Sequence, residues 1–363
     1  MSRVRARGED VRRYILENVE KYPRQIARRT AEKFGITRQA VNKHLRRLSE
    51  EKSLVEEGET RSRVYRLAAL SQWERTYRLE GLAEDVVWRE DISPALGELP
   101  DNVRGIWMYG FTEMFNNAID HSGGIRVSVE IRKTAATTEM FISDDGVGIF
   151  RKIQTAMGLL DERHAVLELA KGKLTTDPSR HSGEGIFFTS RMFEQYAILS
   201  GGVYFSHQFG KDEDWVLESA PQKGTTVHME LHNHTARTTK KVFDQFSSTD
   251  DDYRFNKTVV PVKLAQYGND QLVSRSQAKR LLARVELFKI VMLDFRGVPD
   301  IGQAFADEIF RVFAGRHPEV ELHPLNASSA VKRMIERARS GVAASDAGPS
   351  EPSAPPGNGQ KSS

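Results

Sequence analysis

Between Phe111 and Leu231, three polar motifs interrupt segments of otherwise ordinary apolar periodicity. They restrict what the chain can fold into more than any other feature. The first is FTEMFNNAIDH, Phe111–His121. Met108, Phe111, Met114, Phe115, Ala118 and Ile119 recur at helical spacing. Glu113 and Asn117 are four residues apart and therefore share one helix face. A carboxylate and an amide oxygen on that face suit a magnesium ion, a hard cation that takes oxygen ligands beside phosphate. Glu113 is also able to take a proton from an attacking water. The second motif, MFISDDGVGIF, is an apolar strand ending in Asp144, followed by Gly146 and Gly148, which let backbone approach a ligand closely. In the third, SGEGIFFTSRM, Gly183 and Gly185 lead straight into an apolar helix, whose free N-terminal amides are suited to phosphate. A strand of alternating character follows at KGTTVHMEL, which contains Thr225.

Each motif alone is weak, because a glycine pair before a helix usually marks a turn. In this order and spacing the set resembles the N, G1, G2 and G3 boxes of the gyrase/histidine-kinase/MutL (GHKL) ATPase superfamily, over about residues 100–235. The resemblance implies a Bergerat-type α/β sandwich that binds ATP and Mg2+. It puts Asn117 on magnesium, Glu113 as general base and Asp144 on the adenine amino group, with Gly146 and Gly148 beside it. Gly183 and Gly185 are implied at the phosphates and Thr225 near adenine. Arg151–His181 would be the mobile ATP lid, its Lys171, Gly172, Lys173, Asp177, Pro178 and Arg180 suiting a phosphate-covering loop. The same site serves ATPases, protein kinases and slow nucleotide switches, so the fold does not choose among them. Residues 71–105 contain no histidine, which argues against an autophosphorylating histidine kinase.

At 363 residues the chain is too long for one core, and two or three domains of about 150 residues are expected. Net charge is +3, but it is unevenly spread. Residues 1–70 hold 18 Lys and Arg against 10 Asp and Glu, a net of +8, which leaves −5 for the rest. Such asymmetry predicts an anionic partner for the N-terminal part. Asp10–Val19, Arg24–Phe34 and Gln39–Leu48 have helical periodicity, with Gly35 as a breaker and Thr37 in an N-cap position. Two short strands around Gly58 follow, Leu54–Val55 and Val64–Leu67. This region resembles winged helix-turn-helix DNA-binding domains. Arg38, Gln39, Asn42, Lys43 and Arg46 lie on the outward faces of the third helix, where they would reach base edges and phosphates. Arg61 and Arg63 in the wing would follow the phosphate backbone of duplex DNA.

Residues 71–100 read as a connector entering the 101–245 domain, and residues 255–338 as a smaller α/β unit. In that unit LDFRGVPDIGQAFADEIF resembles STAS-like domains, some of which are phosphorylated on a Ser near this helix start. Here the stretch is Asp300-Ile301-Gly302-Gln303, with no hydroxyl to accept phosphate, so a docking role for a protein partner is expected. Residues 340–363, rich in Gly, Ala, Pro and Ser, have too little apolar surface to fold. The chain has no cysteine, which excludes disulfides and thiolate chemistry. No apolar h-region follows the basic N-terminus and no run approaches the ~20 residues of a membrane span, so a cytoplasmic protein is expected. The expectation is an α+β multidomain regulator, in which ATP and Mg2+ order the lid and change outer-domain packing or homodimer formation, and so DNA affinity. The alternatives are a Ser/Thr protein kinase of the anti-sigma-factor type and a DNA-linked ATPase.

Overall fold

Helical periodicity in the first fifty residues becomes three packed helices, α1 (Arg3–Asn18), α2 (Ile26–Phe34) and α3 (Arg38–Glu50). In the computed structural model, residues 3–58, 63–174, 183–210, 215–247, 255–266 and 271–343 are described. The chain divides into two compact units, Met1–Phe255 and Asn256–Ser363. Both mix helices with sheets, an α+β organisation.

Val11, Ile15 and Val19 meet Ile26, Val41, Leu45, Leu48 and Leu54 in one small core. Gly35 ends α2 in the left-handed region (φ 60°), and its amide returns to the Ala31 carbonyl. Thr37 caps α3, its hydroxyl accepting from the Ala40 amide at 3.2 Å. On α2, Ile26 and Thr30 are fully buried, and Ala27 and Ala31 are partly buried against the same core. A hairpin follows, β1 (Leu54–Glu57) with β2 (Val64–Leu67), in the register Leu54↔Leu67 and Glu57↔Val64.

The stretch expected as a connector begins instead with β3 (Ala69–Arg78), the edge strand of a five-stranded antiparallel sheet. The sheet order is β3-β4-β5-β7-β6, with β4 (Arg126–Thr134), β5 (Thr137–Asp144), β6 (Gln195–Gln208) and β7 (Trp215–His232). Two short helices, α4 (Glu84–Val87) and α5 (Ser93–Leu96), flank a π-helical turn at Trp88–Ile92 and lead into α6 (Asp101–His121). The strands alternate faces. Val127, Val129, Ile131, Met140 and Ile142 point into the core, and Trp107, Phe111, Met114 and Phe115 of α6 are buried with them. Gly110 lets α6 approach closely: a Cβ there would lie 2.6 Å from the Phe193 ring and 3.2 Å from the Met229 sulfur. Three further helices, α7 (Ile149–Met157), α8 (Glu162–Lys171) and α9 (Gly185–Met192), touch β6, and α10 (Thr239–Asp244) packs on α6 and α9.

The second unit is a parallel three-stranded sheet, β10-β9-β8, formed by β8 (Lys257–Pro261), β9 (Ile290–Asp294) and β10 (Glu321–Leu325). Parallel neighbours require crossover connections. These are α11 (Arg275–Leu282) and the run α12 (Gln303–Asp307), a π-helical turn (Glu308–Phe313) and α13 (Ala314–Arg316). Helix α14 (Ser329–Ala343) follows β10. Ser274 and Gln277 form a reciprocal capping box on α11. Of residues 340–363, expected not to fold, 340–343 continue α14, and 344–363 lie outside the described residues. Among the described residues no helix is long and apolar enough to cross a membrane.

Candidate functional site

Four stretches widely separated in sequence converge on one cavity of about 260 Å³. Helix α6 contributes Glu113 and Asn117, one turn apart on the face predicted from their spacing. Strand β5 ends with Asp144 at the cavity, Thr225 enters from β7, and Gly183 and Gly185 come from the start of α9. Between the polar groups the wall is apolar, with Ile142, Ile153, Ile198 and Val227 among its lining. An apolar slot with a few convergent polar groups is the usual form of a small-molecule site. Glu113 and Asn117 present a carboxylate and an amide to this space, a donor set that fits a hard cation.

The two adjacent aspartates of DDGVG have opposite environments. Burial raises the Asp144 carboxyl above the usual carboxylate range, opposed by hydrogen bonds from the Gly146 and Thr225 amides. Asp145 is only partly exposed, and the Arg126 and Ile125 amides hold its carboxyl low, at 2.9 and 2.7 Å from Oδ1. Asp144 is thus the half-buried acceptor at the cavity, and Asp145 ties the start of β4 to the end of β5.

The glycines divide similarly. Gly146 and Gly148, expected beside the ligand, are not in the cavity lining. A Cβ on Gly146 would fall 2.2 Å from the Ser122 carbonyl oxygen, so this residue lets the end of β5 lie against the end of α6. Gly148, with φ 89°, precedes α7 and sits against the Ser200 hydroxyl. Gly183 packs on the Leu174 backbone, and Leu174 donates to its carbonyl at 3.1 Å. The Gly185 Cα lies against the Glu113 carboxylate, where an added Cβ would be 2.0 Å from Oε2. Thr225 Oγ1 accepts from the Ile149 amide at 3.0 Å and lies 3.3 Å from the Ser200 hydroxyl, which fixes the mouth of β7 on the start of α7.

Lys152, absent from the sequence-based expectation, lines the cavity and donates to the His121 carbonyl at 2.7 Å. Its signal was available, because a residue four beyond Gly148 shares the face of the helix that starts there. The segment 151–181, expected as a mobile lid, is largely helical: α7 and α8 occupy 149–157 and 162–171. Lys171 does not face the cavity. It is fully buried and donates to Glu168 at 2.7 Å, one turn back on α8. Asp177, Pro178, Arg180 and His181 lie outside the described residues.

A second polar surface lies on α3. Arg38, Gln39, Asn42, Lys43 and Arg46 are all exposed, on the side opposite Val41, Leu45 and Leu48. Arg38, Lys43 and Arg46 have no acidic partner among the described residues, so the surface is cationic. Arg63 is engaged differently, 3.3 Å from Glu56, and Arg66 faces Glu20 and Glu57. Arg61 lies outside the described residues.

Comparison with known families matches residues 277–332 to the model of a STAS-like domain of unknown function. The chain therefore carries a STAS-like domain in its second unit, spanning α11 through the start of α14. Comparison with characterised proteins gives no match.

Proposed function

We propose that the Met1–Phe255 unit is an ATP-binding, DNA-binding switch of the GHKL type. The observation that carries this reading is the convergence of Glu113, Asn117, Asp144, Gly183, Gly185 and Thr225 on one apolar-walled cavity. Asp144, with its carboxylate at the closed end of a strand, would accept from the adenine amine. Ile142, Ile153, Ile198 and Val227 would cover the base and exclude water. The start of α9 would offer backbone amides to phosphate oxygens. Asn117 and Glu113 would hold magnesium, which supplies charge neutralisation at the phosphates. Glu113 would orient and deprotonate a water if ATP is hydrolysed. Lys152, on the rim, would add a positive charge toward the phosphates or ribose.

The three-helix unit and its hairpin support a winged-helix reading, with α3 as the helix entering the major groove. Its Arg38, Lys43 and Arg46, without an acidic partner among the described residues, would contact phosphates, and Gln39 and Asn42 would reach base edges. The STAS-like domain would dock a protein partner or a second copy of the chain. Nucleotide binding is then linked to DNA affinity, and the coupling must be reciprocal.

The experiment is ATP binding and turnover by the full chain, with and without duplex DNA, alongside Asp144→Asn and Glu113→Ala. The reading expects Asp144→Asn to weaken ATP binding at least tenfold. Glu113→Ala should retain binding and lose any turnover. Unchanged ATP affinity in Asp144→Asn removes the nucleotide assignment, and equal ATP affinity with and without DNA removes the coupling.

A further inference from the structure

The face of the five-stranded sheet turned away from α6 carries a second polar cluster, unconnected with the cavity. Glu139 on β5 and Glu230 on β7 are directly opposite in register, and His228 sits one alternation along β7, opposite Phe141. One ligand atom from each of Glu139, His228 and Glu230 lies within 4.8 Å of the other two. Like charges placed directly across two strands destabilise a sheet unless something neutralises them. Here neither carboxylate accepts a hydrogen bond among the described residues. The His228 Nε2 atom is sealed from solvent and has no hydrogen-bond partner. A sealed imidazole nitrogen without a partner, beside two half-buried carboxylates that only solvent hydrates, is an arrangement that a shared ligand would relieve.

The surroundings orient the cluster and set its charge. The His228 ring stacks on Phe141, with centroids 4.5 Å apart and planes at 19°. Arg132 lies over the same Phe141 ring, but its guanidinium is held in a fork by Glu130, at 2.7 and 3.1 Å. Its positive charge is shared with Glu130 but still acts on the cluster, opposing the effect of burial at Glu139 and adding to it at His228. Glu20, from the segment joining α1 to α2, adds negative potential at both Glu139 and Glu230. Glu194 and His232 also face Glu230, and His232 is hydrogen-bonded to Glu194. The net field at the cluster favours a cation. Burial, followed by the charge of Glu139, pushes the Glu230 carboxyl up to about 7, a measure of how poorly the two bare charges coexist.

We propose that Glu139, His228 and Glu230 form a binding site for a divalent cation of the zinc class. One imidazole with two carboxylates matches zinc, which takes nitrogen and oxygen donors at about 2.0–2.2 Å and keeps its fourth position for water. Imidazole disfavours magnesium and calcium, which take oxygen ligands. The site is distinct from any magnesium carried by a nucleotide. Because Glu20 leaves from the three-helix unit, occupancy neutralises charge that this unit shares with the sheet. The ion thus strengthens the seam between the two parts of Met1–Phe255.

The test uses the untagged full chain, freed of metal and nucleotide, titrated with Zn2+ against a chromogenic chelator and followed by thermal melting. The wild type is expected to bind one equivalent that millimolar Mg2+ does not displace, with a rise in melting temperature. His228→Gln, Glu139→Gln and Glu230→Gln are each expected to weaken that equivalent at least tenfold and to remove the rise. The two Glu→Gln changes relieve like-charge repulsion, so the metal-free variants should melt no lower than metal-free wild type. They keep the test decisive if His228→Gln does not fold. Zinc binding unchanged in Glu230→Gln, absence of a stoichiometric equivalent, or equal displacement by Mg2+ each overturns the proposal.

Discussion

Adding one methyl group at Gly224 or at Gly185 is the same chemical change, yet the two sites predict opposite outcomes. Gly224 lies at an irregularity between β6 and β7, where the register shifts from Ser200↔Thr225 to Gly201↔Gln222. Its φ is 76°, and a Cβ would meet the Asp144 carbonyl oxygen at 1.9 Å. That atom is backbone in the adjacent strand and cannot yield without displacing β5. Left-handed backbone costs a residue with Cβ about 1–2 kcal/mol, and overpacking adds about 1–3 kcal/mol. Gly224→Ala should therefore lose about 2–5 kcal/mol, or roughly 4–20 °C of melting temperature at about 2–4 °C per kcal/mol for a unit of this size. At Gly185 the obstacle is the Glu113 Oε2 atom at 2.0 Å, the far end of a flexible side chain. Relief requires the carboxylate to move by over an ångström, while alanine suits the first turn of α9 better than glycine does. Gly185→Ala should melt within a few degrees of wild type. If the chain hydrolyses ATP, turnover should fall by up to about 10²-fold through the displaced carboxylate. Differential scanning calorimetry of both variants, with ATP turnover for Gly185→Ala, is the assay. Equal melting losses at the two positions, or a Gly224→Ala protein as stable as wild type, would refute the steric reasoning.

Three other outcomes are expected. Asp144→Asn should lower ATP affinity at least tenfold, since a hydrogen bond to a charged group contributes about 1.5–3 kcal/mol. Because burial raises the Asp144 carboxyl, nucleotide affinity measured by fluorescence should weaken on acidification sooner than an ordinary carboxylate would allow. On duplex DNA, Arg46→Ala should reduce the slope of log affinity against log salt by about 0.9. Arg63→Ala should reduce it less, since that cation already faces Glu56. Finally, the hydrogen bond from His232 to Glu194 raises the histidine above 6.5 in the folded state. Its stabilisation is in place below about pH 6.5 and is lost as pH rises through the folded value. Burial raises the Glu194 carboxyl, but the His232 hydrogen bond and the Arg237 charge outweigh it, so Glu194 lies below its usual value. Its contribution is present above about pH 4.5 and is lost as pH falls through the folded value. Stability curves against pH should therefore flatten on the alkaline side in His232→Gln, and an unchanged slope would exclude the pair as its source.

What could be read from the sequence is what local chemistry determines. The i, i+4 relation of Glu113 and Asn117 needs only one helix, and both residues line the same cavity. Thr37 was legible as a cap because a cap is a relation between residues three apart. The α/β character of the second unit showed in its alternating strands and helices, and the run LDFRGVPDIGQAFADEIF carried the resemblance to STAS-like domains. The misreadings came where distant packing decides. Lys171 looked like a loop cation because its neighbours are glycine and lysine, but helix α8 continues through it into the interior. Gly146 looked like a ligand-facing glycine, and the actual constraint is the Ser122 carbonyl across the end of α6.

The Glu139, His228 and Glu230 cluster makes the same point more strongly. On β7 the spacing of His228 and Glu230 puts both on one face, which the alternation along a strand reveals. Nothing local says that the residue opposite Glu230 is Glu139, ninety-one positions earlier, because register between β5 and β7 is set by the buried Met140↔Met229 and Ile142↔Val227 pairs on the other face. A slip of one residue would bury the charges and expose the methionines. The apolar core that shapes the cavity therefore also fixes the juxtaposition of the acidic pair behind it. For the same reason, a core substitution such as Met229→Glu should disturb both sites together, whereas Glu230→Gln should leave the cavity intact.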